Sequence, residues 1–385
     1  MEKFDEILER FRSRRLSGLE AAEILGMSER TFRRYRRRHE QEGLAGLFDR
    51  RLGKASARAV PADRIAWMLD LYRTEYRGWT AKHFHEHLRR DHGFTLSYTW
   101  VKSRLQDARL LPKAPKRGAH RRKRPRKPCV GMMLHQDGSR HAWLAGRPPL
   151  DLIVTMDDAT SEIYSAFLVE EEGTASTFRA LRQVFEAKGL PCALYTDRGS
   201  HYFLTPKAGG KVDRSAPTQV GRALARLGVE HIAAYSPQAR GRSERVFATL
   251  QDRLVKELAK AGITETGAAN RFIGERYLPE HNRRFARSPE LEDSAFVALA
   301  RPEELAEILC AHTERVVGRD NTVRHRGRTL QIPPSPMRAH YVKARVRVHD
   351  YPDGSSALFH GPRRIADYDA DGALLETEAP AKQAA

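Results

Sequence analysis

The sequence predicts a multidomain protein with a helical N-terminal part, a central α/β domain and a small all-β C-terminal domain. Three observations lead there. Apolar residues keep helical spacing over residues 3–41 and again over 61–111. From 129, short apolar runs alternate with helical stretches, and from 313 the period becomes two. At 385 residues the chain has room for two to four domains.

Net charge is +19 and the isoelectric point about 10.1. Such a field attracts polyanions, DNA or RNA above all. The charge is concentrated in blocks, RRYRRRH and KRGAHRRKRPRK. The charged start, MEKFDEILER, is unlike a signal peptide, and no apolar run approaches the roughly 20 residues of a membrane span. No membrane association is expected. Cys129, Cys192 and Cys310 lie far apart with no CxxC, which excludes a disulfide framework and an ordinary zinc finger and fits a reducing cytoplasm.

Residues 3 to 41 read as three helices. SGLEAAEILGM has Leu19, Ala22, Ile24 and Leu25 at helical spacing, Ser17 as N-cap and Gly26 as breaker. Ser28 caps the next helix, where Arg33, Arg34, Arg36, Arg37 and Arg38 surround Phe32 and Tyr35. A packed helix, a tight turn and a basic helix make a helix-turn-helix pattern over 1–45. Residues 46–60 read as a linker. Residues 61–111 repeat the three-helix pattern and read as a second such module, with Trp100, Val101 and Leu105 inward and Lys102 and Arg104 outward. His83, His85, His87 and His92 fall in its middle helix. A solvent-facing helix surface accounts for them without metal. Residues 112–128 mix proline with Arg121, Arg122, Lys123 and Arg124 and read as an interdomain linker lying on DNA.

The 129–290 region runs strand, strand, strand, helix, strand, helix, strand, helix. The strands are CVGMMLHQD, LDLIVTMDDAT, EIYSAFLVEE, PCALYTDRGS and VEHIAAYS. The last helix carries Phe247, Leu250, Leu254 and Leu258 on its buried face. This is the order of a ribonuclease H-like domain. It puts Asp137 in the first strand, Asp197 at the end of the fourth and Glu244 on the helix after the fifth. Strand interiors disfavour Asp. Three carboxylates meeting at one sheet edge would hold two Mg²⁺ (or Mn²⁺) ions, the arrangement that phosphodiester displacement needs. Asp157 and Asp158 are rivals for the place of Asp137, although they also read as turn residues between the second and third strands.

The region from 129 to about 290 resembles the integrase-type (retroviral integrase-like) catalytic core of DDE transposases. The likeness rests on the acid in the first strand, on Asp197-x-Gly199-Ser200, and on Pro237, Gly241, Glu244 and Arg245 around the third acid. The helix-turn-helix modules and linker resemble those of bacterial insertion-sequence transposases, particularly the ISNCY-like group. Two departures stand out. The 47 positions between Asp197 and Glu244 exceed the spacing of many such cores, with 203–218 as the insertion. Ala248 and Gln251 also stand where relatives often carry basic residues.

The resemblance implies binding of terminal inverted repeats, a nick at each transposon 3′ end and joining to target DNA, with Arg245 among the DNA contacts. It implies a homodimer or larger assembly on DNA and a bacterial cytoplasmic, nucleoid-associated protein. Asp137, Asp197 and Glu244 would bind the ions. No covalent intermediate on Tyr202 is implied. Two alternatives stay open: a sequence-specific DNA-binding regulator with an inactive nuclease-like domain, and a ribonuclease.

Residues 291–312 read as a helical connector. Residues 313–372 read as a small SH3-like β-barrel with turns at Asp320-Asn321 and Asp353-Gly354. The tail 373–385 reads as disordered.

Overall fold

The computed structural model describes residues 2–49, 59–113, 124–207, 210–213, 215–235, 237–335 and 338–375. Arg121, Arg122 and Lys123, expected to contact DNA, lie outside the described residues. The chain divides into two compact units. One is Met1–Arg77 with Thr99–Leu111; the other is Gly78–Tyr98 with Pro112–Ala385.

The first unit contains α1 (Glu2–Arg12), α2 (Gly18–Ile24) and α3 (Glu29–Glu42). Ser17 caps α2 through a reciprocal box with Glu20, and the Ser28 hydroxyl accepts from the Thr31 amide at 3.3 Å. Gly26 ends α2 at φ +66°, a left-handed conformation that side chains resist. Phe4, Ile7, Leu8, Ala21, Ala22 and Phe32 form the core of this bundle. The expected apolar face of α2 is shifted. Leu19 is 65% and Ile24 42% exposed, because the small Ala21 and Ala22 make the close contact. A helix α4 (Ala62–Thr74) also belongs to this unit, which buries Met68, Tyr72, Val101 and Leu105.

The expected 61–111 module is divided by this partition. Its middle helix, α5 (Ala81–His92), belongs to the second unit, while most of α6 (Tyr98–Asp107) belongs to the first. His83, His85 and His87 do not lie on a solvent-facing surface; they are 1%, 6% and 1% exposed.

The second unit is built on a sheet of β1 (Leu134–His141), β2 (Leu150–Asp157), β3 (Ile163–Val169), β4 (Ala193–Thr196) and β5 (Glu230–Ala233). Their order is β3-β2-β1-β4-β5. The first three strands are antiparallel, and β1, β4 and β5 are parallel. Helices α7 (Thr174–Lys188) and α8 (Gln219–Leu227) pack Phe178, Leu181, Val184, Val220 and Leu224 into one apolar layer. Helices α9 (Pro237–Lys260), α10 (Thr266–Phe272) and α11 (Leu278–Phe285) contribute to the other. There Phe247, Leu250, Leu254 and Leu258 meet Leu150, Leu152, Val154 and Met156. Burying each such α9 side chain contributes about 1.5–3 kcal/mol.

The core begins earlier than residue 129. Arg126 donates to the carbonyls of Asp158 and Ala159 at 2.8 and 3.0 Å, and the Lys127 amide donates to Asp158 Oδ2 at 2.8 Å. The connector expected to be helical is largely not. Residues 286–301 run as non-helical chain, with isolated bridges Val130–Ser294 and Leu190–Val297, before a short α12 (Leu305–Ile308). Pairing to the core sheet's neighbours takes the backbone bonds that a helix would have used.

The C-terminal strands are β6 (Ala311–Val316), β7 (Thr322–His325), β8 (Arg328–Gln331), β9 (Arg345–Asp350), β10 (Ser356–His360), β11 (Arg363–Tyr368) and β12 (Leu374–Leu375). They form a five-stranded sheet β12-β11-β10-β9-β6 and a β7-β8 hairpin. Both contribute to one core, with Val323, Leu330, Val346, Val348, Leu358 and Tyr368. Asn321 (φ +58°) and Gly354 (φ +89°) occupy the two expected turns, and Arg326 (φ +49°) with Gly327 (φ +77°) makes a third that was not anticipated. Leu374 and Leu375, assigned to the tail, pair with Tyr368 and Asp367. Residues 376–385 of that tail lie outside the described residues.

Candidate functional site

Register decides which acids share a face. Residues directly opposite in an antiparallel pair point the same way. Asp137 is opposite Val154 and Ser139 opposite Leu152, and those two partners face α9. Gly138 is opposite Ile153, which packs with Phe167 and Ala180 of α7 on the other face. In the parallel pair β1–β4, His135 is level with Tyr195. Asp197, two residues on, therefore continues the face of Tyr195, one residue past the end of β4.

Two anchors lay α9 along this face. Arg242 donates to Asp158 Oδ1, which also accepts from His135 Nε2 at 2.6 Å. Nine residues on, Gln251 Nε2 donates to Ser139 Oγ at 3.0 Å. Helix and strand thus run in the same sense past one another. Glu244 falls between Arg242 and Gln251, as Asp137 falls between His135 and Ser139. Asp137 is 8% exposed, Asp197 half-buried and Glu244 exposed. Gly199 donates its amide to Asp197 Oδ1 at 2.8 Å, the Asx geometry that the DxGS sequence favours.

Tyr202 reports on the acids from the other side. It is 1% exposed, and its hydroxyl donates to Glu172 Oε1 at 3.4 Å. Burial first, then the charge of Glu172, and after it those of Asp197 and Asp137 hold its phenol protonated far above the ordinary range. His201 Nε2 lies 3.6 Å from the same Glu172 oxygen. Glu172 escaped the sequence reading. It follows β3 in a polar loop, and the only local signal is Gly138, where a Cβ would collide with its carboxylate.

The rivals Asp157 and Asp158 are occupied elsewhere. Asp157 accepts the amides of Gly131 and Thr160, both at 2.9 Å, and closes the β2–β3 turn. Asp158, fully buried, gathers Arg124 at 2.5 Å, Arg242, His135 and the Lys127 amide. Burial alone would raise its pKa; the donors outweigh that and hold its carboxyl well below the usual range. Arg124, expected to touch DNA, is therefore tied to Asp158 and lies 5.6 Å from the Tyr195 ring centroid.

The remaining expected DNA contacts are distributed as follows. Arg33, Arg34 and Arg37 are exposed on α3, and Arg36 and Arg38 half-buried. Arg36 lies over the Phe11 ring at 5.1 Å. Lys102 and Arg104 are half-buried on α6, with Arg104 paired to Asp107 at 3.3 Å. Arg245 is exposed on α9. In the 203–218 insertion, Arg198 reaches the Gly210 carbonyl at 2.6 Å, and Leu204 bridges Asp213. Among the described residues, no helix is long and apolar enough to cross a membrane.

The model of the winged helix-turn-helix family matches residues 16–66. A putative transposase, y4bF of Sinorhizobium fredii, is 31% identical over 353 residues, spanning 91% of this chain and 76% of that protein. The transposase for insertion sequence IS1202 of Streptococcus pneumoniae is 32% identical over 205 residues, spanning 53% of this chain and 43% of that one. Among solved structures, a simian T-cell lymphotropic virus intasome bound to the PP2A regulatory subunit B56 gamma aligns at 15% identity and TM-score 0.34, covering 75% of this chain and 91% of that one. The HTLV-2 integrase catalytic core with magnesium aligns at 15% and 0.29, covering 38% and 89%. Those structural likenesses are too weak to bear on the fold; the sequence match to y4bF is long and extends over most of both chains. By that match, the chain belongs to the bacterial insertion-sequence transposases.

Proposed function

We propose that this transposase is of the DDE type, with a ribonuclease H-like core in which Asp137, Asp197 and Glu244 are the catalytic acids. The observation that carries the reading is the shared face: two neighbouring strands and one anchored helix each direct an acid to the same side of the sheet. Their carboxylates are hard oxygen donors and fit Mg²⁺ or Mn²⁺. When bound, two such ions would supply charge neutralisation at the phosphate and a more acidic attacking oxygen.

The chain's own residues do the positioning. Gly199 fixes one oxygen of Asp197, and the Arg242 and Gln251 anchors fix the phase of α9 and so of Glu244. In the first reaction a water oxygen bonds to phosphorus at the transposon end and the 3′ oxygen leaves as a hydroxyl. In the second, that hydroxyl oxygen bonds to a target phosphorus and the target's 3′ oxygen leaves. Tyr202 takes no part as nucleophile, since its phenol is buried and kept protonated.

The helix-turn-helix of 1–45 binds the terminal repeats through Arg33, Arg34 and Arg37, with Lys102, Arg104 and Arg245 adding phosphate contacts. Two ends must be joined, so the active form is a dimer or larger on DNA. The catalytic module extends beyond 129–290 to include 124–128 and α5, and the C-terminal strands form a small SH3-like barrel.

The test is strand transfer by wild-type and Glu244→Gln proteins on DNA carrying the element's ends, with Mg²⁺ or Mn²⁺. Activity in wild type alone, with end binding intact in both, supports the assignment. Equal activity removes Glu244 from the site. Tight end binding without cleavage by either protein points to a regulator.

A further inference from the structure

Between α5, α9 and α11 lies a polar cavity that the proposed reaction does not use. His83, Arg253, Glu257, Tyr277, His281 and Arg284 line it. His83 and His87 stand one helical turn apart on α5, both buried. Their Nε2 atoms lie 2.7 and 2.8 Å from the same oxygen, Oε1 of Glu257. Asp91 Oδ2 stands 2.8 Å from Nδ1 of His87, and Arg90 closes over both, 2.9 Å from that nitrogen. A carboxylate behind a histidine orients the ring and leaves the far nitrogen to act as a ligand.

A second observation points to an occupant. Three buried polar atoms around the cavity have no hydrogen-bond partner among the described residues: Nδ1 of His83, Nδ1 of His281 and the Tyr277 hydroxyl. Orphaned groups of this kind are costly unless something polar fills the space.

We infer that His83, His87 and Glu257 bind a transition-metal ion of the zinc class, whose fourth position faces the cavity and His281. Two histidines and a glutamate are a common zinc donor set, with ligand distances of about 2.0–2.2 Å. Tetrahedral ligands then stand about 3.3 Å apart, so Glu257 would withdraw by about 0.5 Å. Glu86, beside the histidines, is committed to Arg253 and Arg284. The ligands come from α5 and α9, so the work of the site is to pin α5 to α9 within this unit.

The experiment uses the full chain, purified without metal-affinity resin, loaded with Zn²⁺ and dialysed against Mg²⁺ buffer. Elemental analysis is expected to find about one zinc per chain, retained because structural sites bind tightly. Asp137→Asn and Glu244→Gln should keep that ion, whereas His83→Ala/His87→Ala should lose it. If the double variant fails to fold, Glu257→Gln, nearly isosteric, serves in its place. Co²⁺ loading should give a tetrahedral visible band that vanishes with the same variants. Wild-type protein that holds no zinc and shows neither a cobalt band nor a Tm shift on Zn²⁺ addition would overturn the inference. So would zinc retained by the His83, His87 and Glu257 variants.

Discussion

Two sets of aspartates on one face of the same sheet meet opposite surroundings. Asp158 is wrapped in cations and donors: Arg124, Arg242, His135 and a backbone amide. The charges of Asp137 and Asp197 are felt instead, with that of Glu172, at the buried Tyr202 phenol. A buried carboxylate must be compensated. At Asp158 the protein supplies the compensation itself, so the group is a staple. For Asp137 and Asp197 the proposed role is a different one, that of holding the metal ions.

The sharpest way to break this contrast is to neutralise one acid of each set. Glu244→Gln or Asp137→Asn should lower strand transfer by about 10³-fold, the equivalent of several kcal/mol of lost transition-state stabilisation, while the Tm hardly moves. Gel assays of end joining beside thermal melts would show it. A melt that collapses while residual activity persists would put Asp137 with the staples.

Asp158→Ala should do the reverse, costing about 3–5 kcal/mol of stability because Arg242 and His135 lose a buried partner. Urea unfolding measures this. The same carboxyl sets a pH dependence. Its pKa is depressed in the folded state, so its stabilisation is present above the unfolded value of about 4 and is lost as pH falls through the folded value. The Tm of wild type should fall more steeply than that of Asp158→Asn as pH drops below about 4. Parallel curves would mean that Asp158 contributes no such linkage.

Arg242 joins the two sets, because it binds Asp158 two residues before Glu244. Arg242→Ala should reduce turnover by about 10²-fold through misplacement of Glu244, with terminal-repeat affinity unchanged. Band-shift titration run beside the joining assay separates the two effects. The smallest change is expected far from both acids. Arg33→Ala with Arg37→Ala should leave stability alone and lower the salt slope of end binding by about 2, one per phosphate contact. An unchanged slope would remove α3 from the DNA interface.

Much of this was legible beforehand, for local reasons. Ser17, Gly26 and Ser28 punctuate the first helices through side-chain and backbone preferences that need no tertiary context. The α9 stripe of Phe247, Leu250, Leu254 and Leu258 follows from period alone. What escaped depends on distant partners. The histidines of α5 look like surface residues until Glu257 arrives, 170 positions on from His87, to receive them. Glu172 is another loop acid until Gly138 makes room for it. Leu19 and Ile24 keep helical spacing yet stay exposed, because two alanines allow a closer approach than a leucine would.

The Arg242 guanidinium also donates to the carbonyls of Arg124 and Pro125, both at 2.8 Å. Those carbonyls belong to what reads as a spacer, yet they are part of the seat on which the Glu244 helix rests. The seam for exchanging targeting modules between transposases must therefore leave Arg124–Lys127, as well as α5, together with α9. A chimera that keeps both should inherit α9 in its native setting. One joined between Arg124 and Lys127 would carry a foreign chain into that seat and arrive with Glu244 out of phase.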